Sequence, residues 1–262
     1  MTDKEQEDSY GAPFIAKLEL LWGDGFLSPG GREEVALILE DLDLTGWSVL
    51  DVGCGIGGID VLLVQEHGAA QVLGIDVEDL VLERAAARAR DAGLADRLSF
   101  RKVAPGPFPL PDATFDLVFS KDAMVHIPDK AALYAEVLRV LKPGGLFAAS
   151  DWMRRDATPP SEEMRAWLRE ISLALDLAPL EEAESLLRQA GFEAVRVIDR
   201  NPWYRKEAAR EVARLEGGLR EPAIEILGRE GYETWLSGKR KSVRLLERGE
   251  FCPGHLRARK PA

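Results

Sequence analysis

Residues Val49-Leu50-Asp51-Val52-Gly53-Cys54-Gly55-Ile56-Gly57-Gly58 constrain the fold more than any other stretch of the chain. A short apolar run ends in an acid and a glycine-rich turn, and a helical pattern follows. Gly53, Gly55 and Gly57 spell G-x-G-x-G, and glycines there allow positive φ and close approach of backbone to a ligand. Leu73-Gly74-Ile75-Asp76 lies about 20 residues on. It reads as a second strand, and its closing acid is placed to bind a ribose diol.

The rest of the chain keeps this alternation. Strands are expected at 47–52, 71–75, 97–103, 115–119, 145–150 and 192–199, and helices at about 57–67, 78–92 and 129–141. The last of these helices stops at Lys142-Pro143-Gly144-Gly145, a proline–glycine ending. Such alternation implies a parallel sheet with helices on both faces. Residues 32–43 read as a helix with Val35, Leu37, Ile38 and Leu39 inward. Later helices fall at 161–175, 180–190, 204–217 and 221–247, and 251–259 reads as a final antiparallel strand at the sheet edge. The expected fold is a Rossmann-like, seven-stranded, mostly parallel α/β sheet. Residues 1–31 form an N-terminal tail and lid, 32–151 the ligand-binding core, and 152–262 the substrate-side helices and completing strands of the same domain.

Composition narrows the partners. The 262 residues carry a net charge of −11, which argues against a phosphate-backbone partner. Lys239-Arg240-Lys241 is the best local basic patch. Two cysteines, Cys54 and Cys252, make no disulfide scaffold, and the three histidines lack metal-ligand spacing. The polar, acidic start is not a signal peptide. No apolar run approaches the ~20 residues that span a bilayer. A cytoplasmic protein, monomer or homodimer, acting on a small molecule without metal, nucleic acid or membrane is the expectation.

Ligands of open α/β sheets bind at the carboxyl ends of the strands. Gly53, Gly55, Asp76, Ser120, Asp122 and Asp151 all fall at such ends. A nicotinamide-binding turn would spell G-x-G-x-x-G, which this one does not. Taken with Thr114-Phe115-Asp116-Leu117-Val118-Phe119-Ser120 and Val140-Leu141-Lys142-Pro143-Gly144-Gly145, the order resembles class I S-adenosylmethionine-dependent methyltransferases. On that resemblance Asp51, Gly53 and Gly55 meet the methionine end of the cofactor, and Asp76 takes the ribose. Val77 and Ser120 lie beside it. The segment Ser120-Lys121-Asp122-Ala123-Met124-Val125-His126 places His126 four residues past Asp122. In a helical turn the two share a face, and the carboxylate orients the imidazole and raises its pKa. That suits a general base for an amine, whose free lone pair is what attacks a methyl group.

A narrower likeness covers nearly the whole chain. Tyr10 followed by Trp22-Gly23-Asp24-Gly25-Phe26-Leu27-Ser28-Pro29-Gly30-Gly31, and the Ser120–His126 segment, resemble the phosphoethanolamine N-methyltransferases. The resemblance implies that Tyr10 and His126 are a catalytic pair latching over the substrate, and that Asp122 contacts the amine. It also implies that Leu27 and Ser28 line the cofactor pocket. The chain departs from that family on the acceptor side. Leu18 stands at a tyrosine position, Trp152 and Trp167 at two others, Ile171 at an arginine and Leu173 at a further tyrosine. Lys239 or Lys241 stands for a C-terminal lysine. Burying a phosphate beside leucine and isoleucine is costly, whereas tryptophan faces suit a cationic amine. The acid expected at the adenine is replaced near Val103-Ala104-Pro105, where a backbone carbonyl at Ala104 serves instead. The expected function is N-methylation of a small, phosphoethanolamine-like amine. O-, S- or C-methylation of another metabolite, or a catalytically inactive cofactor-binding partner protein, are the alternatives.

Overall fold

Strand β1 (Ser48–Val52) is apolar on both faces and buried from its second residue onward, so it can only be an interior strand. In the computed structural model, which describes residues 11–171 and 174–262, β1 lies between β2 (Gln71–Asp76) and β4 (Phe115–Lys121), parallel to both. β3 (Leu98–Lys102) extends the sheet beyond β2, and β5 (Leu141–Met153) pairs parallel with β4. Two more strands, β6 (Glu193–Asp199) and β7 (Cys252–Arg259), complete the seven-stranded order β3-β2-β1-β4-β5-β7-β6.

β7 runs antiparallel to both its neighbours. It sits one strand in from the border, and β6 takes the outer position. Burial explains the order. Cys252 through Leu256 are all buried, whereas most of β6 is exposed. The Lys142–Gly145 segment forms an irregular start to β5, with a register shift against β4 between Phe115 and Leu117, so the strand begins earlier than the apolar run suggests.

Helices cover both faces. They are α1 (Ala12–Trp22), α2 (Gly31–Ile38), α3 (Gly58–Gln65), α4 (Asp79–Asp91) and α5 (Lys130–Val140). After β5 come α6 (Glu162–Glu170), α7 (Leu180–Ala190), α8 (Asn201–Glu216) and α9 (Arg220–Arg248). α2 is shorter than expected, and Leu37 faces outward at 43% exposure while Val35, Ile38 and Leu39 are buried. α6 stops at Glu170 rather than running to 175. α9 is not one continuous helix, because Gly228 at φ 71°, ψ 165° breaks it. One core cluster joins Val52, Val118, Phe147 and Leu256 to α5 and α7, and a second joins Leu44, Val49 and Phe119 to α2 and α3.

Tertiary contacts settle where the charged C-terminal helices lie. Leu215 of α8 and Ala223, Tyr232 and Leu236 of α9 pack against Leu21 of α1. Tyr204, Leu245 and Leu246 pack against Trp167 of α6 and Phe251. These helices therefore roof the N-terminal segment of the same chain. Glu34 of α2 crosses to this half, accepting from Arg200 at 2.7 and 2.8 Å and lying 2.7 Å from His255 Nε2 of β7. Among the described residues no helix is long and apolar enough to cross a membrane.

Candidate active site

The glycine turn between β1 and α3 lies at the carboxyl edge of the sheet, and its glycines answer to steric demands. Gly53 has φ 76°, and a Cβ added there would sit 2.2 Å from the Cβ of Ala123. Ala123 opens the turn that carries His126, so the two loops touch only because residue 53 has no side chain. Gly58 opens α3, and a Cβ there would meet the Gly25 carbonyl oxygen at 2.1 Å. The loop after α1 thus lies directly on the glycine turn. Gly53→Ala is expected to cost about 2–4 kcal/mol, from left-handed strain plus overpacking. Urea unfolding checks this, and an unchanged midpoint would disprove the close approach.

Three acids gather at this turn. Asp76, at the end of β2, accepts from Gly55 N–H at 3.0 Å, Val77 N–H at 2.7 Å and Glu78 N–H at 3.2 Å. It fastens the glycine turn to the neighbouring strand rather than capping α4. Burial raises Asp76 above the usual carboxylate range against the pull of those amides. Asp51 of β1 is 2% exposed, and its Oδ1 has no hydrogen-bond partner. Asp60, in the first turn of α3, is fully buried, and neither of its carboxylate oxygens has a partner. Ser120 is also fully buried and donates its hydroxyl to the Val52 carbonyl at 2.7 Å. It braces the turn from beneath. Val77 and Ala104 are exposed at the ends of β2 and β3.

The loop holding Leu27 and Ser28 is pinned at two points. Arg88 of α4 donates to Asp24 at 2.6 and 2.9 Å, to Glu19 at 3.2 Å and to the Ile56 carbonyl at 3.2 Å. On the other side Lys121, whose side chain is 1% exposed, donates to Ser28 Oγ at 2.7 Å, the Pro29 carbonyl at 2.8 Å and Asp122 Oδ2 at 2.7 Å. Leu27 packs over Gly55, its Cδ1 lying 3.0 Å from where a Cβ would stand.

Asp122 does not orient His126 as its spacing suggests. Its second oxygen accepts from Ser150 Oγ at 2.9 Å, so both oxygens are taken by Lys121 and Ser150. The reason is local geometry. Asp122 has φ 59°, and Met124–His126 forms a 3-10 turn, so residues 122 and 126 do not stack as on an α-helix. His126 Nδ1 instead faces the Ala174 carbonyl at 2.9 Å. A carbonyl only accepts, so Nδ1 carries the proton and the lone pair is on Nε2. Burial lowers the imidazole below its ordinary value, with Lys130 adding to this against the Ala174 bond and the Asp76 charge. The expected upward shift is thus reversed, because burial outweighs the Ala174 bond and the Asp76 charge. His126 lines a cavity of about 320 Å³ with Val125, Pro128, Leu168, Ala174, Leu175 and Asp176.

The acceptor-side residues are scattered. Trp152 stacks on Phe251 at 4.5 Å and meets Tyr204 edge-on at 4.9 Å, while Trp167 is 6% exposed and lies 4.9 Å from Phe251. Both tryptophans are chiefly packing residues, with Ile171 against the same cluster. Leu18 is buried in α1. Lys239 donates to Glu211 at 2.8 Å and sits 4.7 Å over the Trp22 ring, whereas Lys241 pairs with Glu170 elsewhere on α9. Lys17 lies 4.2 Å over Phe14, held down to about 8 by burial and by the charge of Lys239. Tyr10 and Leu173 lie outside the described residues.

The sequence profile of the methyltransferase domain family matches residues 44–208. The chain belongs to this family. The methyltransferase is 34% identical over 242 residues to phosphoethanolamine N-methyltransferase 3 of Arabidopsis thaliana, a match covering 92% of this chain and 48% of that protein. It is 36% identical over 192 residues to a sterol 24-C-methyltransferase of Aspergillus fumigatus, covering 70% of this chain and 51% of that one. It superposes with a TM-score of 0.89 and 25% identity on Haemonchus contortus phosphoethanolamine N-methyltransferase 2 in complex with phosphomonomethylethanolamine and S-adenosylhomocysteine. That superposition takes in 100% of this chain and 61% of the other. The chain spans about half the length of the curated relatives it matches.

Two residues of the methyltransferase site escape a reading of the sequence. Lys121 closes strand β4 as a buried lysine, but two of its three partners, Ser28 and Pro29, come from a distant part of the chain. Asp60 reads as an ordinary first-turn helix acid, and only the structure shows both its carboxylate oxygens buried without a hydrogen-bond partner.

Proposed function

We propose that the methyltransferase moves a methyl group from S-adenosylmethionine to the nitrogen of a small, phosphoethanolamine-like amine. One observation carries the reading. His126, with its lone pair on Nε2, lines a cavity of molecular size on a turn that touches the glycine loop through Ala123 and Gly53. The likeness to the Arabidopsis and Haemonchus enzymes supports the same chemistry.

The residues present fit this cofactor. The glycine turn is a cradle that a Cβ would fill, and Asp51 beside it keeps a buried carboxylate oxygen without a partner. Asp51, Gly53, Gly55, Asp76, Val77 and Ala104 would hold it, with Leu27 and Ser28 as cover and Ser120 beneath. Bound there, it supplies a sulfonium-activated methyl group. The chain's own groups position, exclude water and move one proton. His126 Nε2 takes the proton of the amine so that the nitrogen lone pair becomes available. Lys121 keeps the loop of Ser28 closed over the site. Tyr10, by its place in the motif, latches with His126, and Asp122 helps set the ammonium from its fixed place beside Ser150.

The aliphatic lining from Val125, Leu168 and Leu175, together with the likeness to a sterol C-methyltransferase, supports a second reading in which the acceptor has an apolar body. The deciding experiment follows S-adenosylhomocysteine formation with phosphoethanolamine, unphosphorylated amines and apolar acceptors side by side. Turnover is expected on an amine. Cofactor binding with turnover on none of the amines would overturn the reading.

A further inference from the structure

Lys130 is a buried cation that the proposed chemistry leaves unused. It is the first residue of α5 and is 5% exposed. Two costs attend that place. A lysine is rarely buried unless paired, and a cation at a helix N-terminus opposes the helix dipole. Its contacts offset both. The ammonium has three N–H donors. They reach the Met124 carbonyl at 3.0 Å, the Ile127 carbonyl at 2.6 Å and Asp176 Oδ2 at 3.3 Å. Met124 opens the 3-10 turn that carries His126, and Ile127 follows it. Asp176 stands two residues after Ala174, whose carbonyl accepts from His126 Nδ1 at 2.9 Å. The Asp176 N–H in turn donates to the Val125 carbonyl at 2.8 Å. These contacts close a ring that runs from Lys130 through the turn to the imidazole, on to Ala174 and Asp176, and back to Lys130.

We propose that Lys130 is a positioning residue, which ties the turn of His126 to the 174–176 segment and so fixes the imidazole lone pair on Nε2. The inference rests on the reading of His126 as the base. Ala174 lies outside any helix or strand, so its carbonyl holds the tautomer only while its segment stays in register with the turn. Charged groups on the neighbouring elements do not replace the tie. Asp151 of β5 accepts from the Val125 N–H at 3.0 Å, and burial pushes its carboxyl up to about 8 against the pull of Lys130. Arg154 is committed to the Leu177 and Thr158 carbonyls, and Asp129 caps α5 at Ala132. Glu182 lies across a neighbouring groove, and Asp122 is taken by Lys121 and Ser150. Burial lowers the imidazole and the Lys130 charge lowers it further, while the Ala174 bond and the Asp76 charge draw it up.

The test follows the imidazoles of the full chain by NMR. The chain has three histidines, His67, His126 and His255, and His126→Ala assigns the signal. In the wild type the nitrogen-15 shifts of His126 are expected to show the Nδ1–H form alone. In Lys130→Met both tautomers are expected. The midpoint of His126 and the acid limb of kcat move up, because the ammonium that opposes protonation is gone. The same variant is expected to lose about 10–100-fold in kcat, the cost of a misplaced group, at unchanged affinity for S-adenosylhomocysteine. Lys130→Arg keeps the charge and the donors, so it is expected to restore the single tautomer and part of the rate. A lysine with a merely structural role would leave the folded protein with the wild-type tautomer and midpoint, and that result overturns the proposal whatever kcat does. Asp176→Ala cuts the same tie at a half-exposed residue, so it serves if Lys130→Met does not fold. Mixed tautomers in it support the tie, and an unchanged ring overturns it. Unchanged kcat in His126→Ala would instead remove the base reading, while the tautomer comparison still decides whether Lys130 holds the ring.

Discussion

His126→Ala lowers the rate of methyl transfer to an amine by about 10²–10⁴-fold, the range expected for loss of a positioned general base, with cofactor affinity within a few-fold of wild type. The size follows from the state of the ring. The Ala174 carbonyl fixes the proton on Nδ1, and burial keeps the imidazole neutral at pH 7. An amine is largely protonated at that pH, so a neutral base in the cavity raises the fraction that can attack. The sign with pH is set by the same shift. Because the imidazole lies below its ordinary value of 6.5, the acid limb of kcat falls below that of an unperturbed histidine. Activity is lost as pH drops through the lowered value and is fully present above it. Steady-state rates from pH 5 to 8 check both points. Unchanged kcat in His126→Ala would remove the base from the mechanism.

Lys121→Met destabilises the protein by about 3–5 kcal/mol, the cost of stripping one partner from a buried ion pair. Lys121 and Asp122 have side chains only 1% and 3% exposed, so no water replaces the lost ammonium. Ser28 and Pro29 lose their shared donor at the same time, and Asp122 is left at φ 59° with an unpaired charge. For a chain of this size the melting temperature falls by roughly 10 °C. Adding Asp122→Asn to Lys121→Met recovers part of the loss, because it removes the orphaned charge. If Lys121→Met melts with wild type, the clamp contributes nothing.

Much of the sheet was legible in the sequence because strand and helix patterns there are set by local burial. β1 is hydrophobic on both faces, α5 stops where Pro143 and Gly144 follow, and the acids at the ends of β1 and β2 mark the ligand edge. Glycine spacing was equally informative, since backbone that touches a neighbour tolerates no side chain at Gly53. Boundaries failed where tertiary contact overrides pattern. Leu37 turns outward, α6 ends at Glu170, and Gly228 interrupts a helix whose charge pattern runs on without a break.

Side-chain partnerships were legible only in part. Spacing put Asp122 and His126 on one face, but a 3-10 turn after a left-handed residue separates them, and long-range partners take each one. Trp152 and Trp167 read in the sequence as faces for a cationic amine, and their ring contacts with Phe251, 99 and 84 residues away, make them chiefly packing residues. The sequence by itself determined the parallel sheet, its glycine turn and the acids at its carboxyl edge, because period, composition and steric need are local properties. Only the tertiary structure decided which of those acids stand without a partner, which lysine clamps the lid and which way the histidine titrates. Those depend on burial and on groups brought together from distant parts of the chain, which no local pattern encodes.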